Sequence, residues 1–222
     1  MRLYLSSFRM GDAFAELMAM TDPTLRVAVV SNAVDFIPEI ARRAYAATVH
    51  DPIADFRDQG RDAFDLDLRR FFGAPETLPG AIERVGLVWA VGGNAFLLRR
   101  AMRQSGLDAL LTEALAQDRL AYGGWSAGAV VAGPDLQGIE LMDDPAVLAD
   151  GYDEAVIWEG LGLLNERIVP HYRSDHPEAD AAERAVQALK ARGLPCRTLR
   201  DGEALVMNDG PLELRRALPN AR

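Results

Sequence analysis

Short apolar runs alternate with stretches of helical spacing through the first 133 positions of the chain. Leu3-Tyr4-Leu5-Ser6 predicts an opening strand. Leu25-Arg26-Val27-Ala28-Val29-Val30 predicts a second, bounded by Asp22-Pro23 before and Ser31-Asn32 after. Between positions 35 and 47 the apolar residues Phe36, Ile40 and Ala44 recur every fourth position, which predicts a helix with one apolar face. Asp65-Leu66-Asp67-Leu68 reads as a shorter strand. Residues 85–91 are almost wholly apolar, as a central strand covered on both faces should be, and Gly92-Gly93-Asn94 stops them. Helices follow over 95–103 and 107–116, then a strand over 120–123 and a further helix over 127–132.

Strand and helix in alternation imply β-α-β units and a mostly parallel sheet covered on both sides, a three-layer α/β/α sandwich. After Gly133 the pattern loosens. Residues 139–141, 154–157, 168–169 and 204–207 read as short strands. The last of these and 212–214 flank Asn208-Asp209-Gly210, a hairpin turn sequence. A helix over 178–192 sets Ala182, Ala185, Val186 and Leu189 on one face and ends at Gly193. With no repeat, low-complexity tract or linker, one domain over 1–222 is the simplest reading.

Composition narrows the function classes. The 222 residues carry a formal net charge of −9 and no Lys/Arg-rich block, which disfavours nucleic acid and anionic membrane surfaces as partners. The single cysteine, Cys196, excludes an internal disulfide and fits a reducing compartment. The N-terminal apolar run is broken by Arg9 and Asp12, unlike a signal peptide, and no stretch approaches the ~20 apolar residues of a membrane span. A cytoplasmic location is expected, and a homodimer is left open. No histidine or cysteine cluster has metal-ligand spacing, so no metal is expected.

Candidate chemistry centres on Gly124-Trp125-Ser126-Ala127-Gly128, a G-x-S-x-G pattern between an apolar strand and a helix of small residues. That context is the one a nucleophile elbow needs: a strained turn exposes the serine hydroxyl at a helix N-terminus, and glycines flank it to avoid collision. The bland alternative is a glycine-rich turn whose serine caps a helix. A serine nucleophile needs a base. Of the three histidines, His50 precedes a helix-ending turn and His176 lies in a polar loop. His171 follows residues 168–170 at a strand end, the edge where open α/β sheets bind ligands. A carboxylate must orient the base. Asp175, Asp180, Asp201 and Glu203 follow His171, with Asp201 at a strand-to-turn boundary, and Asp143, Asp144 and Asp153 precede it. For an oxyanion, the elbow supplies the Ala127 N–H, and the Gly92-Gly93-Asn94 turn can supply a second donor.

Residues 91–98 (Val-Gly-Gly-Asn-Ala-Phe-Leu-Leu), 124–129 (Gly-Trp-Ser-Ala-Gly-Ala), Pro170-His171-Tyr172 and Arg200-Asp201-Gly202 together resemble the peptidase E family of serine peptidases, aspartyl dipeptidases related to cyanophycinase. The likeness runs from Leu25 to the chain end. It implies a fold similar to class I glutamine amidotransferases, with serine in place of cysteine at the elbow. It also implies Ser126 as nucleophile, His171 as base, Asp201 as third member, and Gly93 and Ala127 as oxyanion donors. The implied substrate is a small peptide with N-terminal aspartate, cleaved without metal or cofactor, with Gly92 and Asn94 near the substrate. Two positions depart from the pattern. Ala95 stands where G-G-N is often followed by threonine, and the loop after His171 is short, leaving Arg173 and Arg184 as replacements for a substrate-pairing arginine.

Rival readings remain. An α/β-hydrolase esterase shares G-x-S-x-G but normally has its histidine near the chain end, whereas no histidine follows His176 here. A cyanophycinase-like or isoaspartyl peptidase and a non-catalytic binding protein of the same fold are the other two.

Overall fold

The structure is a computed structural model and describes residues 1–218; residues 219–222, the end of the expected domain, lie outside the described residues. The elements, in chain order, are β1 (Arg2–Ser6), α1 (Phe14–Ala19), β2 (Arg26–Val30), α2 (Glu39–Thr48), α3 (Pro52–Asp58), β3 (Ala63–Asp65), α4 (Leu78–Ala81), β4 (Val85–Ala90) and α5 (Ala95–Ser105). Then come α6 (Leu107–Ala116), β5 (Ala121–Trp125), α7 (Ala127–Val130), β6 (Arg167–Val169), α8 (Ala179–Ala191), β7 (Cys196–Thr198), β8 (Ala204–Asn208) and β9 (Glu213–Arg215).

Seven strands form one sheet in the order β3-β2-β4-β5-β1-β8-β9. The first five run parallel, and β8 and β9 add antiparallel at one edge. Alternation of side chains along the strands divides the core. Leu3, Leu5, Ala28, Val30, Val88 and Tyr122 face the layer of α5, α6 and α7. Tyr4, Val27, Val29, Leu87 and Trp89 face the opposite layer, where α1 and α3 contribute Leu17 and Phe56. All six residues of β4 are buried, as its unbroken apolar run predicts. Among the described residues no helix is long and apolar enough to cross a membrane.

Several local expectations change. The helix read over 35–47 forms as α2, but none of its residues is buried, and Ile40 is 81% exposed. A helical period specifies an apolar face, not a partner for it. The strand read at 65–68 ends at Asp65, because Asp67 accepts the Arg69 N–H and caps a 3-10 turn over Leu68–Phe71. Residues 139–141 form a 3-10 turn after Gly138, whose φ of +88° a strand cannot accommodate. Residues 154–157 form no strand: the carbonyls of Glu154 and Ala155 accept hydrogen bonds from the buried Arg100 guanidinium instead. The helix at 179–191 and the 204–215 hairpin form as expected.

Candidate active site

The edge of the sheet where β4, β5 and β1 end side by side is built by close backbone approach. A Cβ on Gly128 would lie 2.1 Å from the Ala90 carbonyl oxygen, and one on Gly124 would lie 2.7 Å from the same atom. Glycine at both positions therefore lets α7 descend onto β4 directly behind the turn. Between them Ser126 adopts φ +49°, ψ −114°, a conformation rarely populated by a residue with a side chain. Such strain costs on the order of 1–3 kcal/mol and persists only where its surroundings enforce it. Here the Ser126 N–H donates to the carbonyls of Ser6 and Ser7, both at 3.2 Å, while the Ser126 hydroxyl makes no hydrogen bond among the described residues. The serine thus stands at the N-cap position of α7 without capping it through its side chain.

Two backbone donors lie at the same edge. The N–H groups of Ala127 and Gly93 are taken by no acceptor among the described residues. Gly93 has φ +135°, and a Cβ there would lie 2.6 Å from the Ala33 carbonyl oxygen, so only glycine fits. Gly92 and Asn94 are explained by packing and capping. A Cβ on Gly92 would meet the Trp125 ring at 2.6 Å. Asn94 accepts the Leu97 N–H at 2.9 Å and donates to the Asp144 carbonyl at 2.9 Å, which uses both ends of its amide.

His171 and Asp201 arrive from a separate two-stranded parallel sheet, β6–β7, rather than from the main sheet that carries Ser126. Because β6 and β7 run parallel, the residues after them emerge together, and His171 Nδ1 lies 2.8 Å from Asp201 Oδ1. Ser7, at the end of β1, joins this pair to the main sheet. Its hydroxyl accepts the His171 N–H at 2.8 Å and donates to Asp201 Oδ1 at 2.8 Å, while its carbonyl accepts from Ser126. The Ser174 hydroxyl accepts the Asp201 N–H. Burial pushes the Asp201 carboxyl upward, but the hydrogen bonds from His171 and Ser7 outweigh it and hold the pKa below its ordinary value. The imidazole is therefore oriented by an ionised partner, with Nε2 directed away from it.

His176 stacks on His171, ring centres 3.7 Å apart and planes 7° from parallel, and Phe8 packs edge-on against both. Burial and the neighbouring His171 lower the His176 pKa, so it is neutral at pH 7. With Glu178, these histidines make a group of metal-ligand composition that the sequence spacing did not reveal, with donor atoms within 4.8 Å of one another. Lone pairs in parallel ring planes do not converge on one ion, however, and His176 Nδ1 already accepts the Glu178 N–H at 3.2 Å. The arrangement fits a stacked pair better than a chelate.

Asp143 is near enough to His171 to feel its charge, and its Oδ2 accepts the Ala95 N–H at 2.8 Å. Burial and, less strongly, the Glu178 charge push this carboxyl up to about 7 against the Ala95 hydrogen bond and His171, which draw it down. The folded pKa exceeds the unfolded value of 3.8, so Asp143 costs stability as pH rises from about 4 to 7, and the full penalty applies above 7. Asp143→Asn should therefore raise Tm most at pH 8 and little at pH 4. An equal shift at both values would contradict the assignment.

The remaining sequence candidates make other contacts. Arg173 is exposed and pairs with Glu183 at 3.0 Å, and Arg184 is exposed on α8. His50 pairs with Asp55 at 2.7 Å, with its ring edge-on to Trp125. Ser7, Phe8 and the His176 stack were not singled out from sequence. The one available signal for Ser7 was its position just after the first strand, at the edge expected to bind ligand.

Comparisons with known proteins bear on the family and on the fold. The model of peptidase family S51 matches residues 17–215. Peptidase E of Escherichia coli is 34% identical over 110 residues, 50% of this chain and 44% of that protein. An uncharacterized peptidase of Listeria innocua is 29% identical over 97 residues, 44% of each chain. The matched stretch thus spans less than half the length of these curated relatives. In fold, the chain is similar to a candidate peptidase E protein from Listeria monocytogenes, with TM-score 0.75 and 18% identity over 98% of both chains. It is also similar to a peptidase from an acI-B1 Actinobacterium, with TM-score 0.62 and 15% identity, covering 97% of this chain and 94% of the other. Matched by the family model across nearly all its length, the chain belongs to peptidase family S51.

Proposed function

We propose that the protein is a serine peptidase that hydrolyses short peptides through an acyl-enzyme. The observation that carries this reading is Ser126, held at φ +49° in the strained turn, with the oriented His171–Asp201 pair tied to the same strand end through Ser7. Ser126 Oγ attacks the scissile carbonyl carbon as His171 Nε2 takes the hydroxyl proton. The oxyanion is stabilised by the Ala127 and Gly93 N–H groups. On collapse, the C–N bond breaks and Nε2 returns the proton to the leaving amine. Water then attacks the ester by the same route, releasing the acid and restoring Ser126. Asp201 fixes the imidazole tautomer, and the neutral His176 ring offers its face to the imidazolium formed at each step.

Within this class, dipeptides with N-terminal aspartate are the first substrates to test, following the resemblance to peptidase E. Hydrolysis of Asp-Leu, Glu-Leu, Ala-Leu, Asn-Leu and β-Asp-Leu tests the reading. Cleavage of Asp-Leu above the others supports an aspartyl dipeptidase, cleavage of β-Asp-Leu alone moves the protein to isoaspartyl substrates, and no cleavage contradicts the peptidase reading.

Ser7 is a positioning residue in this scheme. Ser7→Ala leaves the His171 N–H without its acceptor and removes a donor from Asp201. It should lower kcat by about tenfold to a hundredfold with a smaller effect on KM. An unchanged kcat would remove Ser7 from the account.

A further inference from the structure

The helix that follows the Gly92-Gly93-Asn94 turn carries a buried cation that the mechanism does not use. Arg100, in the second turn of α5, is fully buried. Its neighbours Arg99 and Arg103 pair with Asp108, whereas Arg100 meets no carboxylate among the described residues. Its guanidinium donates instead to four backbone carbonyls: Pro145 at 2.9 Å, Ala155 at 3.0 Å, and Val147 and Glu154 at 3.3 Å. All four belong to residues 143–158, which form neither helix nor strand. A buried charge without an anion is costly, and a guanidinium fork offsets that cost by ordering several carbonyls at once.

The segment so ordered grips the turn that carries Gly93. Just before Pro145, Asp143 Oδ2 accepts the Ala95 N–H at 2.8 Å, and the Asp144 carbonyl accepts the Asn94 side-chain amide at 2.9 Å. The Ala33 carbonyl also holds the turn: it accepts the Asn94 N–H at 2.9 Å and leaves no room for a Cβ on Gly93. Tyr152 joins the two supports, because its hydroxyl donates to Asp35 at 2.6 Å and accepts from Asn32 at 3.3 Å. We propose that Arg100 is a positioning residue for the oxyanion. By fixing residues 143–145 it holds the Gly92-Gly93-Asn94 turn, and so the Gly93 N–H that is free among the described residues. The proposal rests on the peptidase reading, which gives that N–H its task. The His171–Asp201 pair is held separately, through Ser7.

The test follows labelling of Ser126 by an organophosphonate, whose transition state gathers negative charge on the phosphoryl oxygen. Wild type is compared with Arg100→Lys, Asn94→Ser and the double variant. Lysine keeps the charge but loses the fork. Serine keeps an N-cap acceptor for α5 but loses the donor to Asp144. Each single change should lower the limiting labelling rate by about tenfold to a hundredfold, with the probe's reversible binding changed by less than about twofold. The double variant should label no more slowly than the slower single variant, because both changes break one path. Gln104→Ala is the control. It removes bonds to the Gly151 carbonyl and the Asp153 N–H, farther along the segment, and should label at the wild-type rate. A merely structural arginine would lower Tm and leave the labelling rate of the folded protein unchanged, which would overturn the proposal. Multiplying effects in the double variant would also overturn it. Should Arg100→Lys fail to fold, Asn94→Ser decides, since the path runs through its amide: a wild-type rate there overturns the proposal. No label on wild type would overturn the peptidase reading and the proposal together, whereas equal labelling of wild type and Arg100→Lys overturns the proposal alone.

Discussion

Ser126→Ala should abolish hydrolysis of any dipeptide the protein cleaves, lowering kcat/KM by about 10⁴-fold or more. The size follows from what remains. Without Oγ there is no ester intermediate, and the two free N–H groups and the bound substrate supply only the residual acceleration that oxyanion stabilisation gives to direct attack by water. The variant should fold normally, because the hydroxyl makes no hydrogen bond among the described residues and alanine adopts the elbow as readily as serine. Wild-type kinetics and Tm beside the variant's check both halves. Activity within tenfold of wild type would remove Ser126 as nucleophile.

Gly128→Ala should be severely damaging. The new Cβ would lie 2.1 Å from the Ala90 carbonyl oxygen and 2.8 Å from its carbon, both backbone atoms of a central strand. No rotamer relieves that contact. Either α7 lifts away from β4, carrying the Ala127 N–H out of line with Gly93, or the strand distorts. A loss of more than about 3 kcal/mol in urea unfolding is expected, at the upper end for overpacked cores, together with loss of activity. Gly80→Ala is the control, since a Cβ there meets nothing within 4 Å. A Gly128→Ala protein within 1 kcal/mol of wild type would contradict the geometry.

The parts of this site legible in sequence are those fixed by local rules. The apolar run at 85–91 could only be a doubly covered strand, and glycines on both sides of Ser126 announced a turn in which no side chain fits. Less legible was anything depending on which elements meet. His171 and Asp201 follow the strands of a separate two-stranded sheet, a pairing invisible in two three-residue segments separated by a helix. Ser7 acts through contacts 164 and 194 residues away in the chain. The strand read at 154–157 failed for the same reason: β-propensity was overridden by a buried arginine from α5 that takes the segment's carbonyls. The α2 stripe was correctly periodic, yet it faces solvent.

The central claim is that Ser126 is a nucleophile activated by His171 and Asp201, and covalent labelling tests it without knowledge of the substrate. The protein would be treated with an organophosphonate probe, and the adduct located by peptide mass mapping in wild type, His171→Ala and Asp201→Asn. The account predicts one adduct, on Ser126, absent in His171→Ala and formed far more slowly in Asp201→Asn. No adduct on Ser126, or labelling at the same rate in all three proteins, would contradict it.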